Sequence, residues 1–180
     1  LYRRRRGFIN DCKKVQAMKI GVVGSGTMGN GIAHAFAMHN YDVVVYDIDE
    51  KMLEKGIVSI KKNLNRQLIK SKISQEIFDL TLSNITTTID MSQLSDRELI
   101  IEAATENIDI KLSIFKELDN ILGSESILAS NTSSISINKL AKITSRPEKV
   151  IGMHFMNPVP VMKLVEVIKT EETSSDTLEK

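Results

Sequence analysis

Apolar and polar residues along the chain form blocks of two kinds. Short runs rich in β-branched residues predict seven strands, at residues 19–23, 42–46, within 80–89, and at 99–103, 127–130, 150–155 and 161–168. Apolar residues spaced three and four apart predict helices at residues 30–40, 49–70 and 108–122, and a short one ending at 143. This alternation, with strands apolar on both faces, predicts an α/β fold with a mostly parallel, doubly wound sheet of the Rossmann type and a helical excursion after the second strand.

Both ends of the chain depart from this pattern. Residues 1–17 contain four consecutive arginines at 3–6 and show no apolar period, so we expect a basic tail that is disordered or extraneous to the domain. Residue 1 is leucine, and Met18 directly precedes the first strand, which is typical of a fragment or a misassigned start. Residues 18–168 form the predicted domain. Residues 169–180 look like the start of a further helix, with Thr173 or Ser174 as its cap.

Composition narrows the class of protein. The 180 residues are 42% apolar and 26% charged, as in an ordinary globular domain. The net charge of +1 combines a balance of +6 in residues 1–20 with −5 in the remainder, so the body of the chain gives no reason to expect nucleic acid as a partner. No apolar run reaches the ~18 residues of a membrane span, and no secretory signal is visible. We therefore expect a cytoplasmic location and no membrane partner.

A glycine-rich turn lies between the first strand and the first helix. Its residues match the pattern G-x-G-x-x-G and are Gly24, Ser25, Gly26, Thr27, Met28 and Gly29. In this context the glycines permit a tight turn, close approach of a pyrophosphate and close helix–strand packing, while the helix N-terminus attracts the phosphates. Asp47 ends the second strand and is placed to accept hydrogen bonds from ribose hydroxyls. That favours NAD over NADP, although Lys51 nearby weakens the preference; a strand–helix turn without a ligand is the alternative.

His154 is the histidine most suited to chemistry, because it lies at the end of the sixth predicted strand, where ligands bind in doubly wound sheets. If the last two strands pair antiparallel about Pro160, His154 faces Glu166. A carboxylate on a histidine selects its tautomer and raises its basicity, as a general base for an alcohol requires. The alternative is a core histidine with an acid nearby by coincidence. His34 and His39, on the first helix, are expected to be packing or surface residues.

Other candidates follow the fourth and fifth strands. Ser133 is either a substrate ligand or the cap of the next helix, a role that Ser134 can also fill. Glu102 and Glu106 flank the end of the fourth strand, and one of them is expected to border the nicotinamide. Lys111 lies about a turn and a half after Glu106 on the following helix.

With these residues placed, the chain from Met18 to its end resembles the L-3-hydroxyacyl-CoA dehydrogenase family, and within it the bacterial 3-hydroxybutyryl-CoA dehydrogenases. The resemblance rests on four segments, which are MKIGVVGSGTMGNGIA, EAATENIDIK, SNTSSI and HFMNPVPVMKLVEVI. It implies an oxidoreductase of fatty-acid and butanoate metabolism that interconverts 3-hydroxyacyl-CoA and 3-ketoacyl-CoA, with NAD as cofactor and no metal.

The resemblance also implies roles for single residues. His154 is the base, Glu166 its partner, and Ser133 a hydrogen-bonding partner of the reacting oxygen. Beyond the glycine-rich turn and Asp47, contacts to the dinucleotide are implied for Glu106, Lys111, Ser133 and Asn157. Contacts to CoA are implied for Asn63, Lys70, Lys111 and Ser133, although a solvated helix face explains Lys70 equally well. Glu102 is left with a structural role.

Members of the family continue into a second, all-helical domain that supplies most of a homodimer interface and one wall of the substrate cleft. The resemblance therefore implies that this 180-residue chain binds NAD but turns acyl-CoA over poorly. Two alternatives remain open at this point. One is a different β-hydroxyacid dehydrogenase on a similar fold, which would leave the HFMNP segment unexplained; the other is a non-catalytic NAD-binding relative.

Overall fold

The computed structural model describes residues 18–180, so the expectations for residues 1–17 lie outside the described part of the chain. Seven strands form one sheet in the order β3-β2-β1-β4-β5-β6-β7. The strands are β1 Lys19–Val23, β2 Asp42–Tyr46, β3 Ile85–Thr88, β4 Leu99–Glu102, β5 Ile127–Ser130, β6 Val150–Phe155 and β7 Val165–Lys169. Strands β1 to β6 pair in parallel, and β7 pairs antiparallel with β6 at the edge. The predicted fold class is thus confirmed.

Helices cover both faces of the sheet. They are α1 Thr27–Met38, α2 Glu50–Ile69, α3 Gln75–Ser83, α4 Ile108–Ile121, α5 Ile137–Ala141 and α6 Ser175–Glu179. Successive strand residues point to opposite faces, so Val22 packs in one apolar cluster with α1 and α2, while Val23 packs in the other with α4 and α5. The inner strands β1, β4 and β5 are buried on both sides, so their carboxyl ends and the loops that follow are the parts free to bind a ligand.

The strand predicted within residues 80–89 is present, but only in the second half of that segment, and the helix before it was not predicted. Helix α3 occupies Gln75–Ser83, and only Ile85–Thr88 is a strand. Ser74 caps the helix by accepting a hydrogen bond from Ile77 N–H at 3.2 Å. Phe78 and Leu82, four residues apart, then pack against the core on one helical face. The β-branched residues around them masked this spacing.

The start of the last strand and the buried face of α4 also differ from the sequence prediction. The last strand was predicted to begin at residue 161, but Val161 N–H and Met162 N–H bond back to the carbonyl of Pro158, so the chain is still turning there. The apolar spacing of α4 predicts an inward face of Ile110, Ile114, Leu118 and Ile121. Leu118 is buried as predicted, but Ile110 is 49% exposed, and Lys111 and Phe115 are buried. Apolar spacing does not select Lys111, because its charge normally places a lysine on the surface.

The helix predicted to begin within residues 169–180 is present as α6. Ser174 Oγ caps α6 by accepting from Thr177 N–H at 3.2 Å, which selects Ser174 over Thr173 as the cap. Thr177 is itself buried and donates to the carbonyl of Glu148 at 2.9 Å, so the start of this helix is held against the turn that precedes β6. Within residues 18–180, no helix is long and apolar enough to cross a membrane.

Candidate active site

Two glycines of the turn after β1 are required by the fold itself. Gly24 has φ of 94°, in the region that favours glycine, and its N–H donates to the carbonyl of Tyr46 at 2.8 Å. A Cβ on Gly24 would lie 2.6 Å from Ala104 Cα, and a Cβ on Gly29 would lie 1.7 Å from the carbonyl oxygen of Gly24. The first and third glycines therefore let β1, β4 and α1 approach closely.

Gly26 is different, because among the described residues no atom beyond its chain neighbours and the adjoining helix backbone lies within 4 Å of the place where its Cβ would be. It stands at the N-cap of α1, and none of the described side chains caps that helix. Gly26, Thr27 and Met28 border a cavity of about 240 Å³ with Ala103 to Glu106 on its other side. The first N–H groups of α1 and this open space fit a pyrophosphate, which a helix N-terminus attracts.

Asp47, at the end of β2, is oriented by the turn. Its Oδ2 accepts from Ser25 N–H at 2.8 Å and from Ser25 Oγ–H at 2.9 Å, and its Oδ1 accepts from Asp49 N–H at 3.2 Å. Since a carboxylate offers about four acceptor positions, one remains for a hydroxyl group. The half-buried carboxylate is thus held where a ribose of a dinucleotide in the turn would lie.

His154 and Glu166 face each other across β6 and β7, as the antiparallel pairing about Pro160 predicted. His154 Nδ1 lies 2.8 Å from Glu166 Oε2. Because an ionised carboxylate only accepts hydrogen bonds, Nδ1 carries the proton and the lone pair is on Nε2. The side chains are 26% and 53% exposed. This is the arrangement of an oriented general base that is open to solvent.

Ser133 lies in the same cleft as the pair. The cleft, of about 390 Å³, is bordered by Thr132 to Asn138, His154, Glu166 and the end of β7. Helix α5 has Ser136 at its N-cap, so the alternative role of Ser133 or Ser134 as the cap is wrong. The exposed Ser133 hydroxyl is therefore free of a capping role.

Glu106 joins the loops after β4 and β5. Its Oε2 accepts from Thr132 Oγ–H at 2.6 Å and from Ser134 Oγ–H at 3.3 Å. Of the two acids Glu102 and Glu106, only Glu106 borders the cavity beside Gly26 in the described part of the chain.

Lys111 does not occupy the exposed position that a CoA contact requires. Its side chain is 1% exposed, and its ammonium lies 2.8 and 2.6 Å from the two carboxylate oxygens of Glu102, whose side chain is 0% exposed. Ser130 Oγ–H and Ala104 N–H also donate to this carboxylate. The CoA assignment is corrected on this ground: a buried carboxylate needs a cation, and Lys111 supplies it. Lys111 still borders the cavity beside Gly26.

The remaining assigned residues lie apart. Asn157 is exposed, two residues beyond β6. Asn63 is half-buried in α2, and Lys70 is exposed at the C-cap of that helix. Neither of these two borders the cavity beside Gly26 or the cleft at His154.

Sequence reasoning overlooked two buried residues at the site. Asn131 and Thr132 belong to the SNTSSI segment, but only the serine at 133 was singled out from it. The missed signal was polarity directly after an apolar strand: three consecutive polar residues at the carboxyl end of a buried strand must find hydrogen-bond partners.

Comparisons with known proteins agree with this geometry. Residues 19–180 match the family described as "3-hydroxyacyl-CoA dehydrogenase, NAD binding domain". The chain belongs to this family. NAD is accordingly the cofactor of the domain, and the resemblance inferred from the four segments is confirmed.

Individual relatives are similar over the same residues. A 3-hydroxybutyryl-CoA dehydrogenase of Bradyrhizobium diazoefficiens is 47% identical over 161 residues, which are 89% of this chain and 55% of that protein. One from Clostridioides difficile is 44% identical, over 90% of this chain and 58% of that protein. The crystal structure of (S)-3-hydroxybutyryl-CoA dehydrogenase from Ralstonia eutropha matches with a TM-score of 0.88 and 46% identity, over 89% of this chain and 57% of that one. The chain thus spans a little over half the length of these relatives.

Proposed function

We propose that this chain is the NAD-binding part of a dehydrogenase that interconverts 3-hydroxyacyl-CoA and 3-ketoacyl-CoA, with 3-hydroxybutyryl-CoA as the substrate. The observation that supports it most is the pair of His154 and Glu166, which shares a cleft with Ser133. His154 lies near the carboxyl end of β6 and Ser133 follows that of β5, on the same side of the sheet as the cavity beside the glycine-rich turn. The names of the relatives support the choice of acyl-CoA.

The chemistry assigned to these side chains is proton transfer. His154 Nε2 takes the proton from the 3-hydroxyl group, and Glu166 stabilises the imidazolium that forms. Ser133 donates a hydrogen bond to the same oxygen. NAD, when bound, accepts the hydride from C3 of the substrate. In the reverse direction His154 returns the proton to the oxygen of the 3-keto group.

The cofactor contacts are proposed on the same basis. The turn from Gly24 to Gly29 surrounds the pyrophosphate, and Asp47 accepts from the adenosine ribose. Glu106, Lys111, Ser133 and Asn157 are proposed for the nicotinamide side, where Glu106 borders the cavity beside Gly26. Asn63 and Lys70 are proposed for CoA, with the resemblance as their only support.

We further propose that residues 18–180 bind NAD but turn acyl-CoA over poorly by themselves. More than half of the Glu166 side chain and a quarter of the His154 side chain are open to water. Enzymes strengthen polar interactions at the reacting atoms by excluding water from them. Another part of the enzyme must therefore cover this cleft. A homodimeric form is proposed from the resemblance alone, and the cytoplasmic location stays a prediction from the sequence.

The test begins with calorimetric titration of the 180-residue chain with NADH. Acetoacetyl-CoA is then added and NADH absorbance is followed. We expect NADH to bind and to be oxidised far below the enzymatic median of ~10 s⁻¹. Absence of NADH binding by a folded chain would overturn the cofactor proposal. Rapid oxidation that is lost in His154→Gln but kept in His39→Gln would support the chemistry and overturn the proposal that a cover is needed.

A further inference from the structure

Asn131 occupies a junction between the cavity beside the glycine-rich turn and the strand that holds His154. It follows β5 directly and is 9% exposed. Its backbone N–H donates to the carbonyl of Glu102 at 2.8 Å, which fastens it to the end of β4. The residue also borders the cavity of Gly26, Thr27 and Met28. No role has been assigned to it so far.

The side-chain oxygen of Asn131 extends the sheet. The parallel pairing of β5 with β6 ends where Ser130 meets Gly152, but β6 continues to Phe155. Beyond that point β6 keeps β7 on one side only. Asn131 Oδ1 accepts from Phe155 N–H at 2.9 Å and so supplies the acceptor missing on the other side. The residue held in this way is the neighbour of His154.

The amide nitrogen of Asn131 is then directed elsewhere. Because a backbone N–H is a donor, the atom that meets it must be the amide oxygen, and this settles the orientation of the side-chain amide. Nδ2 donates no hydrogen bond within residues 18–180. It is also not fully buried, because the only buried side-chain atoms without a partner in this part of the chain belong to His34. The contact left to it is the cavity.

The order of the strands indicates which part of a dinucleotide this donor meets. In the sheet, β2 with Asp47 lies on one side of β1 and its turn, and β4 and β5 lie on the other. A dinucleotide crosses the sheet at this point, with one half on each side. Asp47 is on the side of the adenosine half, so Asn131 is on the side of the nicotinamide half.

We propose that Asn131 is a positioning residue for the dehydrogenase site: its amide oxygen holds the end of β6, and thereby His154, while its amide N–H₂ donates to the nicotinamide half of the dinucleotide. The N–H₂ part of this proposal rests on the proposed function, and the Phe155 part does not. One side chain thus connects the cofactor cavity with the strand that carries the base.

Two variants of the chain separate the two contacts. Asn131→Asp has nearly the same shape and keeps the acceptor for Phe155 N–H but lacks the N–H₂ donor. Asn131→Ala lacks both. Hydrogen exchange at the Phe155 amide measures the first contact without any cofactor. Titration with NADH measures the second, and titration with ADP, which has both phosphates but no nicotinamide half, measures any repulsion by the new carboxylate.

We expect Asn131→Asp to keep the slow exchange of Phe155, to bind NADH about tenfold more weakly and to bind ADP as the wild type does. We expect Asn131→Ala to raise the exchange rate at Phe155 about tenfold and to weaken NADH binding as well. Equal loss of NADH and ADP affinity in Asn131→Asp, or no loss of either, would overturn the donor role. Unchanged exchange in Asn131→Ala would overturn the positioning role. A wild-type chain that binds neither ligand would instead contradict the proposed function.

Discussion

His154 and Glu166 are direct register partners of β6 and β7, and their side chains meet with 2.8 Å between Nδ1 and Oε2. The pair is therefore positioned by a strand ladder and not by a flexible loop. The ladder is antiparallel in a sheet that is otherwise parallel, which brings two residues twelve positions apart together at the sheet edge. Rigid placement of this kind is what a general base requires, because proton transfer depends on distance and orientation.

The carboxylate of Glu166 should determine which nitrogen of His154 is protonated. We expect ¹⁵N NMR of the ring to show the Nδ1–H tautomer in the neutral wild-type side chain. In Glu166→Gln, the amide can donate as well as accept, so both tautomers should be populated. In a form of the enzyme whose cleft at His154 is covered, the same change should lower kcat by about 10² to 10⁴.

A matched control for this change is Glu171→Gln, which alters an exposed carboxylate just beyond β7. It should leave the tautomer of His154 and the turnover unchanged. Should Glu166→Gln also leave the tautomer unchanged, the orientation of His154 would be due to other contacts, and the role assigned to Glu166 would be wrong.

Most strands were predictable because burial on both faces leaves a continuous apolar run. Strands β1, β2, β5 and β6 begin and end where the sequence predicted. The helix at Gln75–Ser83 was not predictable in this way, since its β-branched residues favour strands locally and its position depends on packing against the core. Here tertiary contacts outweighed local preference.

The site divides along similar lines. His154, Glu166 and the glycine-rich turn were predictable, since they depend on one hairpin and one strand–turn–helix unit. The contacts of Asn131 and the pair of Lys111 with Glu102 were not, because they join different strands and loops. Which polar groups meet across the end of a sheet depends on strand order, and spacing along the chain does not reveal it.

Substitutions at two glycines of the turn should distinguish an effect on stability from an effect on NADH binding. Gly29→Ala places a methyl group 1.7 Å from the carbonyl oxygen of Gly24, so the backbone must move, and we expect a loss of at least about 3 kcal/mol in the free energy of unfolding. Gly26→Ala meets no described atom within 4 Å and should change stability by less than about 1 kcal/mol. Its methyl group enters the space proposed for the pyrophosphate, so NADH affinity should fall tenfold or more by titration (about 1.4 kcal/mol per tenfold).

Gly123→Ala is the control for the glycine variants, because its added methyl group also meets no described atom within 4 Å and it lies in a turn after α4. It should bind NADH like the wild type. Normal NADH affinity in Gly26→Ala would mean that the pyrophosphate does not approach the turn at this residue.

His34 should make the protein sensitive to acid. The ring is fully buried in α1, and among the described residues neither of its nitrogens has a hydrogen-bond partner. Burial lowers the pKa of His34 from 6.5 to about 4, because the charged ring would lose its hydration. The unfolded chain takes up this proton below pH 6.5 and the folded one does not, so stability should fall as pH decreases from about 6.5 to about 4, by about 3 kcal/mol in total.

Urea unfolding at pH 7, 5.5 and 4.5 measures this dependence. His34→Leu removes the buried titrating group and should flatten the fall, whereas His39→Leu, at an exposed position at the end of α1, should not. An equally steep fall in His34→Leu would assign the acid sensitivity to the carboxylates of the protein.

Variants of Lys111 test whether its ammonium group only stabilises the fold or also binds a ligand in the cavity beside Gly26. Lys111→Met leaves the fully buried carboxylate of Glu102 without a cation, and we expect the free energy of unfolding to drop by about 3–5 kcal/mol. The double variant with Glu102→Gln removes both charges and should recover much of that loss. Lys116→Met, at an exposed position on α4, should change stability by less than about 0.5 kcal/mol.

NADH titration of the same variants decides between the two roles. If the ion pair only supports the loops, the double variant should regain NADH affinity together with stability. If the ammonium also contacts the dinucleotide, the double variant should be stable and still bind NADH weakly, because the cation is absent in both variants. A single variant as stable as Lys116→Met would contradict the buried pair itself, since an unpaired carboxylate with 0% exposure cannot be without cost in the folded chain.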